Sequence, residues 1–182
     1  MKPSWEFFRE TSISNFKNQK MYRLVSSKDL NPTNEQLESM VQACNSIEIF
    51  KWLFSEMCPN GYTKENAIGF LKWARQGWLD NSHFVFLILS DDDKIVGAID
   101  IKSNNLEAGE IGYWVHQDHS GLASNAVAKI IEIAKLAGYK TLFAQTKKGN
   151  EKSNQVLIRN LFEVTEKYKD DSCCDNAFCI TL

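Results

Sequence analysis

The chain has 182 residues, of which 43% are hydrophobic and 12% aromatic, and its formal net charge is -2. This length favours one domain, the apolar content excludes a wholly disordered protein, and the near-neutral charge argues against a nucleic-acid-binding protein. We expect a soluble, cytoplasmic protein without membrane association, because the sequence has neither a signal peptide nor an apolar run near the roughly 20 residues of a membrane span.

The N-terminal half is predicted to contain an arm, a strand and two helices. Residues 1–20 are polar with scattered aromatic side chains, and we expect them to pack as an arm on a single domain of residues 21–182. Residues 21–25 have the composition of a strand. Thr33, which is followed three residues later by a glutamine, resembles the start of a capping box, and Thr63 is suited to cap a second helix.

The middle of the chain changes to strand periodicity. Residues 84–89 and 95–101 are predicted strands that three aspartates join in a turn, and residues 110–115 form a third strand. Apolar residues then recur at helical spacing from Ala123, and Gly138 is predicted to end this helix in the left-handed conformation.

The C-terminal part is predicted to alternate strands with a short helix. Residues 141–146 form a strand, residues 153–160 a helix, and residues 162–168 and 177–182 two final strands. Helices followed by a meander and then a strand–helix–strand unit predict a mixed α/β domain.

The five cysteines and three histidines predict neither a disulfide framework nor a metal site. The number of cysteines is odd, and Cys173 and Cys174 are adjacent without the spacing of a zinc site. His116 and His119 are three residues apart, but they are predicted to lie in a loop rather than on one helix. We therefore expect no metal.

Two segments of the chain resemble a known family. The first is Glu-Ile-Gly-Tyr-Trp-Val at residues 110–115, followed by Gly121 and the predicted helix. The second is Asn-x-x-Ser-Asn-x-Val-x-x-Arg-Asn-x-Phe at residues 150–162. Together they resemble the GCN5-related N-acetyltransferase (GNAT) superfamily, and within it the RimJ/RimL branch, which acetylates the N-terminal amine of ribosomal proteins. The resemblance implies a GNAT fold: a central, mostly antiparallel sheet, flanked by helices, whose strands splay at the acetyl-CoA site.

The resemblance implies acetyl-CoA as the acetyl donor. A helix N-terminus attracts anions through its free N–H groups, and in the family this helix start holds the pyrophosphate. The end of the preceding strand would bind the pantetheine arm through its backbone. The residues expected to bind the cofactor are Trp114, Val115, Ser120, Gly121, Leu122, Ala123 and Asn150.

The predicted phosphate loop departs from the family pattern, which is (Arg or Gln)-x-x-Gly-x-(Gly or Ala). The loop is about two residues shorter, so that either Asp118 or Ser120 falls at the Arg/Gln position, depending on where the gap is placed. The nearby basic residues that are candidates to compensate are Lys129, Lys147 and Lys148.

The resemblance also implies direct attack of an amine on the thioester, which needs a base, an oxyanion donor and an acid. Glu110 matches the base, acting through water, although it is alternatively a surface glutamate. The N–H of Val115 matches the oxyanion donor by position. Ser153 matches a serine near the leaving sulfur and is predicted to be the general acid, or alternatively only a helix N-cap.

Two further positions depart from the family. Leu157 stands where many members have a catalytic tyrosine. Leu161 replaces the glycine that usually precedes Phe162, and we expect a different turn there, because leucine disfavours a positive φ.

The sequence thus predicts an N-acetyltransferase that transfers an acetyl group from acetyl-CoA to a primary amine, either a protein N-terminus or a small molecule. We expect a monomer or homodimer with no nucleic-acid partner. The short loop supports an alternative, a GNAT-fold binding or regulatory protein that has lost catalysis. A third reading keeps the enzyme and changes the donor to another acyl-CoA.

Overall fold

The computed structural model describes residues 2–8, 10–172 and 174–182. The strands of this part of the chain are β1 (Thr11–Ser14), β2 (Met21–Ser26), β3 (Phe84–Leu89), β4 (Ile95–Ile101), β5 (Gly109–Val115), β6 (Thr141–Thr146), β7 (Glu163–Val164) and β8 (Asn176–Thr181). The helices are α1 (Asn34–Cys44), α2 (Ile47–Ile49), α3 (Lys64–Asp80), α4 (Leu122–Ala137) and α5 (Glu151–Arg159). A π-helical turn at Phe50–Phe54 continues α2, and a 3-10 turn at Gln117–His119 precedes α4.

The strands form one sheet in the order β1-β2-β3-β4-β5-β6-β8-β7. Every pairing is antiparallel except that of β5 with β6. Residues 111–115 of β5 pair with β4, but β5 pairs with β6 only at Gly109 and Glu110. Beyond Glu110 the two strands separate. This confirms the predicted mixed α/β fold with its mostly antiparallel, splayed sheet.

Both faces of the sheet are covered by helices. All six residues of β3 are buried, and their side chains point alternately to the two faces. Val85 and Leu87 join the core beneath α1 and α3, whereas Phe84 and Phe86 join the core beneath α4 and α5. Each such side chain contributes roughly 1.5–3 kcal/mol when it is removed from water. Among the described residues, none of the helices combines the length and apolar character needed to cross a membrane.

Local signals place the ends of three helices as predicted. Thr33 and Thr63 each accept a hydrogen bond from the backbone N–H three residues later, and that residue's side chain in turn accepts from the threonine N–H. Such a cap stabilises a helix by about 1 kcal/mol. Helix α4 ends at Gly138, which has a φ of 98°.

The N-terminal residues contribute a strand that the sequence did not predict. Strand β1 pairs with β2 in an antiparallel hairpin. Trp5 and Phe8 are buried in the core, and the Trp5 ring lies 4.5 Å from the Phe84 ring, measured between centroids. We call residues 15–20, which connect β1 to β2, the hairpin tip. The division of the chain into an arm and a domain at residue 20 stays a prediction.

The C-terminal part corrects two predictions. Within the predicted strand at residues 162–168, only Glu163 and Val164 pair with β8, so this strand is much shorter than predicted. Leu161 adopts a φ of 63°, which contradicts our expectation for this turn. The N–H groups of Leu161 and Phe162 donate to carbonyls of the last turn of α5, in the Schellman arrangement that requires a left-handed residue. The Leu161 side chain is 79% exposed, so the strained backbone causes no packing conflict.

Candidate active site

A groove of about 500 Å³ opens where β5 and β6 separate. Its walls come from the hairpin tip, α2 with the π-helical turn, the end of β5, the start of α4, and α5. Seven of the nine predicted site residues line it: Trp114, Val115, Ser120, Gly121, Ala123, Asn150 and Ser153. In the described part of the chain, the two exceptions are Glu110 and Leu122.

The start of α4 forms one end of the groove. Leu122 begins the helix, but its side chain is fully buried in the core, so only its backbone is able to contact a ligand. Of the two residues that the alternative alignments place at the Arg/Gln position, Ser120 lines the groove and Asp118 does not.

The first turn of α4 is suited to bind an anion. Gly121, at its N-cap, has a φ of 106°, and no described side chain caps this helix. The first N–H groups of a helix have no partner within the helix and carry partial positive charge. They are therefore available to a ligand in the groove.

The hairpin tip clamps the loop before α4. The carboxamide of Asn15, which is fully buried, donates from Nδ2 to the carbonyl oxygens of His119 at 3.3 Å and Ser120 at 3.2 Å. Asn15 Oδ1 accepts from the N–H of Lys17 at 2.9 Å, and Asn125 Nδ2 donates to the carbonyl oxygen of Ser14 at 2.6 Å. These contacts fix residues 14–17 against the loop.

Two cations that the sequence did not predict for this role line the same end. Lys17 Nζ donates to Ser120 Oγ at 2.8 Å. Arg159 Nη1 donates to Ser124 Oγ at 2.8 Å, and its guanidinium carbon lies 5.0 Å from the centre of the Phe16 ring. Within residues 2–8, 10–172 and 174–182, neither cation forms an ion pair.

The lysines that the sequence suggested lie elsewhere. Lys129 pairs with Glu132, and Lys147 pairs with Glu56 at 3.0 Å. None of Lys129, Lys147 and Lys148 lines the groove. The sequence carried no local signal for Lys17, because it lies 103 residues before Ser120.

Among the other ionisable groups of the groove, Glu151 in the first turn of α5 is a carboxylate that forms no ion pair with a described residue, and the rest add little net charge. Lys152 pairs with Glu48 at 3.3 Å. Burial and the neighbouring His116 lower the pKa of His119, so this imidazole is neutral at neutral pH, and its Nδ1 lies 2.8 Å from the Tyr22 hydroxyl. Within the described residues, no three His, Cys, Asp or Glu side chains are grouped to hold a metal ion.

A pair of hydroxyl groups lies in the middle of the groove. The Tyr113 and Ser153 hydroxyl oxygens are 2.8 Å apart, and the Tyr113 hydroxyl also contacts the Ser153 carbonyl oxygen at 3.1 Å. Burial raises the pKa of Tyr113, so it keeps its proton at neutral pH. Leu157, which stands where many family members have a tyrosine, is fully buried. The phenol beside Ser153 is instead that of Tyr113 on β5, which the sequence did not predict.

Ser153 is not the N-cap of α5, contrary to the alternative that the sequence left open. The N-cap is Asn150, whose Oδ1 accepts a hydrogen bond from the N–H of Ser153 at 3.3 Å. The Ser153 side chain is therefore not used for capping, and its hydroxyl is free to take part in the groove.

Glu110 belongs to a charged cluster beside the groove. Its Oε1 lies 2.5 Å from Lys102 Nζ. Asp100 lies in β4, and Lys102 follows directly after the end of this strand. Asp100 accepts at Oδ1 from the N–H of Gly112 at 2.9 Å. Burial raises the pKa of Asp100 to about 6, against the opposing effect of the Lys102 charge. Three residues of extended strand, about 10 Å, separate Glu110 from Tyr113.

The register of β5 leaves part of its backbone free. The N–H of Lys102 donates to the Glu110 carbonyl, and that of His116 donates to the Val96 carbonyl. Because hydrogen-bonded residues alternate along an antiparallel pair, residues 111, 113 and 115 direct their N–H and C=O groups away from β4. Residue 111 borders the parallel pairing with β6, whereas the groups of residues 113 and 115 face the split, where β5 has no strand partner in the described chain.

A family model described as an acetyltransferase (GNAT) domain matches residues 30–163. Among solved structures, RimJ from Mycobacterium smegmatis, in complex with CoA-disulfide, has a TM-score of 0.72 at 18% identity, covering 100% of this chain and 90% of that one. The microcin C7 self-immunity acetyltransferase MccE, in complex with acetyl-CoA and AMP, has a TM-score of 0.69 at 18% identity, covering 91% and 94%. No curated protein sequence matches the chain.

A third structure, the N-acetyltransferase PseH from Campylobacter jejuni, has a TM-score of 0.62 at 21% identity, covering 88% of this chain and 97% of that one. At such low identities these likenesses show the shared fold. The family model spans most of the described sheet, including both segments on which the predicted resemblance rests. The chain belongs to the GNAT acetyltransferase family.

Proposed function

We propose that this protein is a cytoplasmic N-acetyltransferase that transfers an acetyl group from acetyl-CoA to a primary amine, either a protein N-terminus or a small molecule. The observation that supports this most directly is the groove at the β5–β6 split, which brings together seven residues predicted from the family resemblance. The similar structures of RimJ and MccE contain a CoA derivative or acetyl-CoA.

Acetyl-CoA would lie along the groove with its phosphates at the start of α4. The volume of the groove, about 500 Å³, is within the usual range for small-molecule sites. The free N–H and C=O groups of Tyr113 and the free C=O group of Val115 would pair with the amides of the pantetheine arm, as those of an edge strand pair with an added strand, and the N–H of Val115 would remain for the thioester oxygen. The acetyl group would then lie near the split, beside Ser153.

In the proposed reaction, the neutral amine attacks the thioester carbon and a C–N bond forms. The N–H of Val115 stabilises the negative charge on the carbonyl oxygen. When this intermediate collapses, the C–S bond breaks, and the departing sulfur takes a proton from the Ser153–Tyr113 hydroxyl pair. Burial raises the pKa of Tyr113, so the phenol is protonated at neutral pH but is a weaker acid than a free tyrosine, and the pair gives up its proton only as negative charge develops on the sulfur.

Glu110 would accept the proton that the amine loses. Because Glu110 lies about 10 Å along β5 from Tyr113 and points to the opposite face of the sheet, it would act through water rather than by direct contact. Lys102 holds one carboxylate oxygen, Oε1, and leaves the other available to such a water.

The proposed function is tested by incubating the purified protein with acetyl-CoA and a panel of α-amino peptides, polyamines and aminoglycosides, and by measuring thiol release and product mass. We expect acetylation of one amine class. We also expect about tenfold slower turnover in Ser153→Ala and Tyr113→Phe, with effects in the double variant that are less than additive. Tyr168→Phe, which alters a ring stacked on Phe143 outside the groove, is the control.

The result that would overturn this proposal is binding of acetyl-CoA with transfer to none of these amines. That outcome would support the alternative of a GNAT-fold binding protein without catalysis. Transfer of a longer acyl group in preference to acetyl would support another acyl-CoA as donor.

A further inference from the structure

We infer that Lys17, at the hairpin tip, binds the pyrophosphate of the donor and supplies the positive charge that the shortened loop lacks. This inference rests on the proposed function. Lys17 lies outside residues 30–163, the part that matches the family model, so nothing in that match assigns it a role.

The position of Lys17 meets the geometric requirement. Its side chain lines the groove together with Ser120, Gly121 and Ala123, the residues at the start of α4. Its Nζ lies 2.8 Å from Ser120 Oγ, so the ammonium group is beside the free N–H groups of the first helical turn. A phosphate oxygen at this helix start would be within reach of both.

The stem of the exposed Lys17 side chain lies directly against Gly121. A Cβ atom added at Gly121 would lie 2.8 Å from Lys17 Cγ and 2.5 Å from Asn15 Oδ1. Only a glycine therefore allows the hairpin tip to approach the loop this closely. Since Asn15 also fixes the Lys17 backbone, a ligand does not have to order this segment on binding.

The charges of the groove favour Lys17 as a phosphate ligand. Lys152 is neutralised by Glu48, His119 is neutral, and the remaining carboxylate of the groove, Glu151, lies in the first turn of α5 rather than at the start of α4. In the described chain Lys17 and Arg159 are the groove cations without an ion pair. A cation that bonds only to a serine hydroxyl gains a charge-assisted hydrogen bond when a phosphate arrives, without breaking an ion pair.

The test is calorimetric titration of Lys17→Met, which keeps most of the stem and removes the charge. We expect its affinity for acetyl-CoA to fall about tenfold. A similar fall is expected for 3′-dephospho-acetyl-CoA, which keeps the pyrophosphate. S-acetylpantetheine, which lacks it, should bind both proteins equally, as measured by competition. Lys20→Met is the matched control, because Lys20 lies in the same tip and does not line the groove.

Three results would overturn the inference. Equal affinity of Lys17→Met and the unchanged protein for acetyl-CoA would remove Lys17 from the site. An equal loss for S-acetylpantetheine would show a structural role, and a loss that disappears with 3′-dephospho-acetyl-CoA would move the contact to the 3′-phosphate. Failure of the unchanged protein to bind acetyl-CoA at all would instead overturn the proposed function together with this inference.

Discussion

The two ends of the groove are built in different ways. The end at α4 combines the hairpin tip, the loop at residues 119–121 and Arg159, which are more than 30 residues apart in sequence and are held by side-chain hydrogen bonds. The end at Ser153 depends mainly on one strand, β5, and on the start of α5. The first end is therefore sensitive to single contacts and the second to strand register.

Register decides what β5 presents at each of its sides. Trp114 joins the core beneath α1 and α3, and Ile111 and Tyr113 join the core beneath α4 and α5. Strand alternation places Glu110 on the same face as Trp114. A slip of one residue would exchange these two sets. The pairing with β4 over five residues prevents this, and the separation of β6 from β5 beyond Glu110 opens the groove.

The largest expected effect concerns strand β5, on which the end of the groove at Ser153 depends. Glu110→Gln should lower turnover about 100-fold at neutral pH, because the amide cannot accept the proton of the amine, and it should leave acetyl-CoA affinity unchanged. Steady-state kinetics and calorimetry measure the two quantities separately. Glu107→Gln is the control, since Glu107 forms an exposed ion pair with Lys140. Turnover equal to that of the unchanged protein would remove Glu110 from the mechanism.

The next largest effect concerns the end of the groove at α4, which is held by side-chain contacts. Gly121→Ala should lower the free energy of unfolding by about 2–4 kcal/mol, because it combines a strained φ with a clash against the hairpin tip. Gly138→Ala has a similar φ, but its nearest side-chain atom is 3.9 Å away, so it should lose only about 1–2 kcal/mol. Denaturant unfolding measures both losses, and calorimetry measures binding. Only Gly121→Ala should also weaken acetyl-CoA binding, and equal behaviour of the two variants would contradict the clamp.

A smaller effect should appear in the pH dependence of stability. The pKa of Asp100 is raised from 3.8 to about 6, so the folded state binds its proton more tightly than the unfolded state. Its contribution is fully present below about pH 3.8 and is lost as the pH rises through 6. Asp100→Asn should therefore gain about 2 kcal/mol of stability at pH 7 relative to pH 4, compared with the unchanged protein.

Unfolding in denaturant at several pH values measures this difference. Asp80→Asn, at the exposed end of α3, is the control. If the difference between Asp100→Asn and the unchanged protein does not vary between pH 4 and 7, Asp100 does not titrate in this range.

The smallest effect lies outside the groove. Leu161→Gly should change the free energy of unfolding by less than about 1 kcal/mol, and in the stabilising direction, because relief of the left-handed backbone outweighs the added freedom of the unfolded chain. Leu161→Val should destabilise the protein, since a branched side chain tolerates this conformation less well. Thermal unfolding distinguishes the two. A loss on replacement by glycine would show that the exposed leucine makes a stabilising contact.

The sequence predicted features that depend on local patterns. The caps at Thr33 and Thr63, the strands at residues 84–89 and 141–146, and the end of α4 at Gly138 follow from short stretches of sequence. Contacts between distant segments could not be predicted in this way. Lys17 meets Ser120 across 103 residues and Tyr113 meets Ser153 across 40, and no spacing rule applies at such separations. Leu161 was mispredicted because helix-end hydrogen bonds outweighed the residue's own preference.

The central claim is that the groove between β5 and β6 binds acetyl-CoA. It is tested most directly by calorimetric titration of the unchanged protein with acetyl-CoA at two temperatures, so that a vanishing enthalpy at one of them does not conceal binding. Free CoA serves as the comparison. We predict one site per chain with a micromolar dissociation constant. The absence of measurable binding at millimolar acetyl-CoA, at both temperatures, would contradict the claim.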